Sequence, residues 1–303
     1  VALFEGKPRK KESKITQREM DIAASIQSVV EEIVLKTART LKDTTQSKNL
    51  CLAGGVALNC VANGKLKSSG LFDNIWIQPA SGDAGGSLGA ALSAYYNYFK
   101  KPRTYCSKDK MNGGYLGNAY DDHEIINACE RYHLTFERIE PDNVHAVAAR
   151  LVYEGNILGW YQGRSEFGPR ALGARSIIAD SRPVDMQKKL NLKIKYRESF
   201  RPFAPIVMKD KAKKYFSSEH CDNPYMLMVG QVNHENRLPE PDTSLTGLGL
   251  LDVPRSTITA VTHVDYSARI QSVDPDTQDS LYRLLSEFEA LSGCPVLINT
   301  SFN

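Results

Sequence analysis

The residues best suited to chemistry are the arginines of two neighbouring segments, GWYQGRSEFGPRALGARSIIADSRP at 159–183 and LNLKIKYRESFRPFAPIV at 190–207. Between Arg164 and Arg201 stand Arg164, Arg170, Arg175, Arg182, Lys188, Lys189, Lys193, Lys195, Arg197 and Arg201, against Glu166, Asp180, Asp185 and Glu198. A solvated basic face is the plain reading of such a run. The first segment argues against it, because Arg164, Arg170 and Arg175 alternate with Gly163, Gly168, Gly173 and apolar residues and no lysine is among them. A guanidinium presents a planar fork that matches phosphate or carboxylate oxygens two at a time, and glycine lets backbone amides approach the same anion. The pattern therefore points to polyphosphate binding.

Two glycine turns form a second group. LCLAGGVALNCVANG at 50–64 sets Gly54 and Gly55 between an apolar run and a helical stretch, where free N–H groups can meet an anion or a nucleotide. Such a turn serves equally to pack a helix on a sheet. SGDAGGSLGAAL at 81–92 adds Asp83 at a strand end. That carboxylate either caps the following helix or reaches a ligand or metal. A third group lies in AVTHVDYSARIQSV, where His263, Asp265 and Arg269 form either a small anion or proton-transfer site or an ordinary structural cluster.

The elements that must position these groups follow an α/β rhythm. Thr16 and Glu19 make a capping box before apolar residues at helical spacing, predicting a helix from about 17 to 41. Strands are expected at 50–53, 75–78, 134–138, 157–161, 204–208, 225–232, 258–264 and 296–299, with helices to about Leu66 and at 87–99, 121–132, 143–154 and 275–291. Residues 101–118 lack apolar periodicity and read as a surface linker, and 233–257 read as an exposed loop. The expected division is 1–105 and 106–303.

Lys plus Arg number 38 and Asp plus Glu 35, so the net charge is 38 − 35 = +3 with neutral histidines. There is no whole-chain field for nucleic acid, and the anion site must be local. No apolar run of membrane-spanning length occurs. Cys51, Cys60, Cys106, Cys129, Cys221 and Cys294 lack metal-binding spacing and read as reduced thiols in a cytoplasmic protein. A homodimer is left open.

GRSEFGPRALGARSIIAD and YRESFRPFAP together resemble the adenylate-forming domain of the O-carbamoyltransferases of nodulation-factor and antibiotic pathways, which is similar to the YrdC-like threonylcarbamoyl-adenylate synthases. The two glycine turns resemble the second half of that family's actin-like, Kae1-like domain. The resemblance implies an α/β chain, with an actin-like half at 1–105 and a YrdC-like domain at 106–303. It implies that carbamoyl phosphate and ATP give carbamoyl-adenylate, whose carbamoyl group passes to a hydroxyl of a small natural product or sugar. Arg164, Arg170, Arg175, Lys195, Arg197, Arg201 and His263 become the catalytic candidates. Gly54, Gly55 and Asn59 become adenosine contacts, Ser301 and Asn303 a nucleotide-contacting turn, and Asp83 a ligand to iron, Fe2+. The family's paired HxxxH ligands have no counterpart here, so the reading is of an incomplete chain that lacks the N-terminal actin-like half. Tyr266 stands where the family more often has a small residue.

Three rivals stand beside this reading. A tRNA threonylcarbamoyl-adenosine enzyme would lack the GRSEFGPRALG block, and a sugar kinase of the actin-like superfamily leaves that block unexplained. A fragment that binds nucleotide without turnover is compatible with the missing metal ligands.

Overall fold

The computed structural model describes residues 4, 6–10, 13–106, 109–239 and 245–302. The first helix, α1 (Gln17–Thr45), starts at the expected capping box, where the Thr16 backbone N–H donates to the Glu19 carboxylate over 3.0 Å and the Thr16 hydroxyl donates over 2.6 Å. It runs past Leu41 and ends at Gln46, whose φ of 53° breaks the helix. A parallel pair, β1 (Asn49–Leu52) and β2 (Asn74–Ile77), brackets α2 (Cys60–Ser68). Then follow α3 (Ala84–Ser93), α4 (Asp122–Arg131) and α5 (Val144–Tyr153). Ala38, Leu50, Leu66 and Phe72 pack α1 against this first unit, while Ile26 and Ile33 on the same helix stay 58% exposed. No residue of α3 is buried.

The second unit is built on a mixed sheet. Its strands are β3 (Leu158–Tyr161), β4 (Arg175–Asp180), β5 (Ala204–Met208), β8 (Gln271–Val273) and β9 (Val296–Ser301), in the order β3-β4-β9-β5-β8. The pairs are antiparallel except for β5 with β8. Short helices α6 (Met186–Lys189) and α7 (Ala212–Tyr215), the short ladder of β6 (Gly230–Gln231) with β7 (Ser267–Ala268), and the long α8 (Pro275–Ser292) complete it. Alternate residues of each strand point to opposite faces. Ile178, Ile206, Met208 and Leu297 therefore face α5 and α8, whereas Ile177, Ala179, Val207, Val296 and Ile298 face α6, α7 and the segments beyond them. With apolar layers on both faces the sheet cannot slip register by one residue without exposing one of them.

The α/β expectation holds, with local differences. Residues 134–138 form no strand; they are exposed and have no ladder partner. Of the run 225–232 only Gly230 and Gln231 form a ladder and Val232 makes an isolated bridge to Phe216, because side chains and a neighbouring turn take the earlier backbone groups. Asn223 Oδ1 accepts from the Leu227 N–H at 3.0 Å, Asn63 Nδ2 donates to the Leu227 carbonyl at 2.9 Å, and the Val229 N–H donates to the Cys60 carbonyl. The β-branched run 258–264 holds only a 3₁₀ turn at Thr259–Val261, since the hydroxyls of Ser256 and Thr262 bond the Ile258 backbone instead. The expected surface stretch 101–118 is exposed only in part: Met111, Gly113 and Gly114 are buried, and the Tyr115 hydroxyl donates to the Leu172 carbonyl at 2.7 Å. Strands β4, β7 and β8 are additions to the expected set.

The two units meet along one apolar cluster, in which Ala57 and Ile77 pack with Met111, Leu172, Ala204, Tyr225 and Leu227. Gly64 sits at this seam. A Cβ there would lie 2.7 Å from the Val229 carbonyl oxygen, a backbone atom that cannot step aside alone. Gly64→Ala is expected to lower stability by about 1–3 kcal/mol, the usual cost of overpacking, as read from urea denaturation.

Candidate functional site

A cavity of about 500 Å³ opens where the first turn of α2 (Cys60, Val61), the 169–171 loop, residues 197–204, His263, Arg269 and the end of β9 (Asn299, Thr300, Ser301) come together. Arg170, Arg197, Arg201 and Arg269 all line it. The convergence is tertiary, because Arg170 leaves the glycine-rich loop before β4, Arg197 and Arg201 leave the turn before β5, and Arg269 lies between β7 and β8.

Their charges are poorly compensated. Arg170 donates through Nη2 to the Leu58 carbonyl at 3.1 Å, while its buried Nε has no partner among the described residues. Arg197 Nε donates to Asn191 Oδ1 at 2.7 Å, and its guanidinium lies 5.1 Å from the Phe203 ring centre. Burial and then the neighbouring Arg201 push its pKa down, partly offset by Glu198. Arg201 has an ion pair with Glu198 at 3.2 Å and is exposed at the rim. Arg269 makes no hydrogen bond or ion pair with a described residue; burial, followed by the charge of Arg170, pushes its pKa down to about 10. Desolvated guanidiniums without counter-ions are costly, so the site is electrostatically complete only with an anion in it. The first turn of α2 adds the positive end of a helix dipole on the same wall.

Lys195 and Ser301 also meet, with Lys195 Nζ donating to the Ser301 carbonyl at 2.5 Å and lying 3.3 Å from its hydroxyl. Burial and the charge of Arg197 lower the Lys195 pKa. His263 borders the cavity; its Nδ1 lies 3.0 Å from the Ser267 hydroxyl and its Nε2 is shut off from solvent without a partner. Burial pushes its pKa below the ordinary histidine value, against Asp265 and with Arg269. Asp265 itself turns back to accept from the Ser267 N–H at 3.0 Å.

The other arginines of the block lie elsewhere. Arg175 donates to the carbonyls of Gln162, Gly163, Ala174 and Asn118 and lies 3.5 Å over the Tyr161 ring, which makes it a staple of its own loop. Arg164 is exposed beside a separate cavity of about 270 Å³, donating to the Leu116 carbonyl. Glu166, which the sequence offers only as a stray acid, holds the arginine loop together. Its Oε1 accepts from the backbone N–H groups of Leu172, Ala174 and Arg175 at 2.7, 2.9 and 3.2 Å. From below, the side-chain amides of Gln271, Gln278 and Asn299 donate to the carbonyls of Leu172 and Ala171. One acid embedded among arginines and glycines is the only sequence sign of this role.

The glycine turns are joined, since the Gly54 N–H donates to the Ser81 carbonyl at 2.8 Å. Gly54 has φ 95°, and at both Gly54 and Gly55 the side-chain direction opens on space, with no atom of a described residue beyond the chain neighbours within 4 Å of where a Cβ would stand. Asn59 caps α2 through the Ala62 N–H and exchanges hydrogen bonds with Gln27. Asp83 is exposed at the start of α3 and its side chain makes no capping bond. Asn303 lies outside the described residues. Among the described residues no three His, Cys, Asp or Glu side chains converge, and a hard or borderline cation needs about four to six donors. Asp83 by itself does not make an iron site. Nor, among the described residues, is any helix long and apolar enough to cross a membrane.

Residues 149–303, which carry all four cavity arginines, match the carbamoyltransferase C-terminus, and residues 1–92 match the carbamoyltransferase N-terminus. This chain belongs to the carbamoyltransferase family. It is 51% identical over 99% of its length to an uncharacterized protein of Synechocystis sp., of which it covers 49%. It is 40% identical over 97% of its length to nodulation protein NolO of Bradyrhizobium diazoefficiens, covering 50% of that protein. Nodulation protein U of Azorhizobium caulinodans is 33% identical over 94% of this chain, with 45% of that protein covered. The chain thus spans about half the length of these curated relatives.

Two outcomes follow for this carbamoyltransferase-family site. Arg269→Met is expected to raise the stability of the ligand-free protein by about 1 kcal/mol, because an unpaired desolvated charge is removed, and to abolish the thermal shift caused by added pyrophosphate. Glu166→Ala is expected to cost about 1–3 kcal/mol in stability and to weaken pyrophosphate binding at least about tenfold by titration calorimetry, with Glu166→Gln, which keeps an acceptor oxygen, falling between.

Proposed function

We propose that the chain carries the adenylate-forming part of an ATP-dependent O-carbamoyltransferase, arranged as an actin-like, Kae1-like half followed by a YrdC-like domain with the division near residue 105. The observation that supports it most directly is the cavity in which, among the described residues, the Arg170 Nε has no partner and Arg269 makes no hydrogen bond or ion pair. Such a site calls for substrates that bring several negative charges at once.

In this reading water cleaves the carbamoyl–phosphate bond of carbamoyl phosphate, releasing phosphate and carbamate. A carbamate oxygen then attacks the α-phosphorus of ATP, the bond to the β-phosphate breaks, and pyrophosphate leaves. Two polyanions would otherwise repel each other. Arg170, Arg197, Arg201 and Arg269 hold them side by side and neutralise the charge that gathers on the departing pyrophosphate. Lys195 and Ser301, already in contact, place a cation and a hydroxyl where the nucleotide would lie against the end of β9. His263 stands as a neutral imidazole able to take a proton from the attacking water.

The carbamoyl group then passes to a hydroxyl of a small-molecule acceptor, the hydroxyl oxygen forming the new C–O bond as AMP leaves. Gly54 and Gly55, whose side-chain directions open on space, are the proposed adenosine contacts for that step, together with Asn59 once it is released from Gln27. Asp83 would supply one iron ligand, with the others coming from outside this chain. A cytoplasmic location, and carbamoyl phosphate and a hydroxylated acceptor rather than nucleic acid as partners, belong to the same reading. The names of the relatives NolO and nodulation protein U suggest a nodulation-type role for some members, which leaves the acceptor of this chain open.

Carbamoyl-phosphate-dependent exchange of labelled pyrophosphate into ATP tests the reading. Exchange is expected in the unaltered chain and should fall at least about a hundredfold in Arg170→Ala, the scale for losing one preorganised charged donor. A folded protein that binds ATP but shows no exchange would count against it.

A further inference from the structure

The cavity's arginines account for phosphate oxygens and for nothing else, since a guanidinium donates hydrogen bonds and accepts none. A carbamoyl group differs from an acetyl group of nearly the same shape by two N–H donors. Once buried, those donors need an acceptor or they cost most of what binding gains. Whichever side chain supplies that acceptor decides whether the site takes carbamoyl phosphate or any acyl phosphate.

Asn299 has the required properties. It sits on β9, is 1% exposed and lines the cavity beside Thr300 and Ser301. Its Nδ2 donates to the Ala171 carbonyl at 2.9 Å and to Gln271 Oε1 at 2.6 Å. Two acceptors on one nitrogen fix which end of the amide is which, so the oxygen cannot be exchanged for the nitrogen without losing both bonds. Oδ1 is left buried and without a partner among the described residues. Buried orphan acceptors are uncommon in folded proteins and call for an explanation. A second buried atom on the same cavity, His263 Nε2, also has no partner. In the tautomer whose Nδ1–H donates to the Ser267 hydroxyl, it too offers a lone pair.

Resting on the reading of this cavity as a carbamoyl phosphate site, we infer that Asn299 Oδ1 receives an N–H of the carbamoyl amide and makes the site selective for carbamoyl over acyl phosphates. The arginines then set how tightly the phosphate is held. Asn299 sets which acyl group accompanies it. The bonds to Ala171 and Gln271 tie this selectivity to the same loop that carries Arg170, so the two halves of the substrate are read by one rigid piece of backbone.

The test is titration calorimetry of the unaltered chain with fresh carbamoyl phosphate, acetyl phosphate and inorganic phosphate, without ATP. Carbamoyl phosphate is expected to bind at least about tenfold more tightly than acetyl phosphate, the range in which unpaired buried polar groups discriminate between near-isosteres. In Asn299→Ala, which also gives up the hydrogen bond to the Ala171 carbonyl, all three anions are expected to bind more weakly while the preference for carbamoyl over acetyl phosphate shrinks to within about threefold. Equal affinity for the two acyl phosphates in the unaltered chain overturns the inference without any variant, and so does a preference that survives in Asn299→Ala. If none of the three anions binds, the reading of the cavity fails as well, whereas phosphate binding without preference removes only the role of Asn299.

Discussion

Four guanidinium groups gathered on one cavity repel each other, and the architecture around them works against that repulsion. Two unit charges about 6 Å apart at an effective dielectric near 20 repel by about 3 kcal/mol, so several such pairs amount to a sizeable share of a domain's stability. Arg201 relieves part of it through Glu198, and Arg197 through Asn191 and the face of Phe203. Arg269 has no such relief. A loop left to itself would swing its arginine into water. The molecule holds back the loop that carries Arg170.

The restraint is made of hydrogen bonds that ignore side-chain identity within the loop. Glu166 gathers three backbone N–H groups from above, and Gln271, Gln278, Asn299 and Tyr115 take the carbonyls of Ala171 and Leu172 from below. The amides stand on β8, α8 and β9, elements clamped between two apolar layers. Packing of Ile178, Ile206 and Leu297 against α5 and α8 thereby fixes the position of Arg170, although none of these residues touches it. Preorganisation of this sort lets charged groups act in place, with no reorganisation when the ligand arrives.

The seam between the two units extends the same logic. Leu172 belongs to the arginine loop and also to the apolar cluster that includes Ala57 and Ile77 of the first unit. Arg170 reaches across to the Leu58 carbonyl, and the first turn of α2 forms part of the cavity wall. The glycine turn and the arginine block, two separate signals in the chain, are parts of one contact surface.

The sequence by itself determined the α/β class, the capping box of α1, most of the helices and the strands with clear apolar runs, because each depends on residues close together in the chain. It also marked the arginine block, since charge interleaved with glycine is a local pattern. Only the tertiary structure decided which arginines share a site. Arg175 and Arg164 look like Arg170 in sequence, yet Arg175 is spent on four carbonyls and Arg164 faces another cavity, while Arg269, some seventy residues beyond Arg197, completes the cluster. The misread runs at 225–232 and 258–264 have the same cause: Asn63, Asn223, Ser256 and Thr262 took backbone groups that β-propensity would have given to a ladder. Long-range hydrogen bonds and convergent charge depend on which segments the fold brings together, and no window along the chain contains that information.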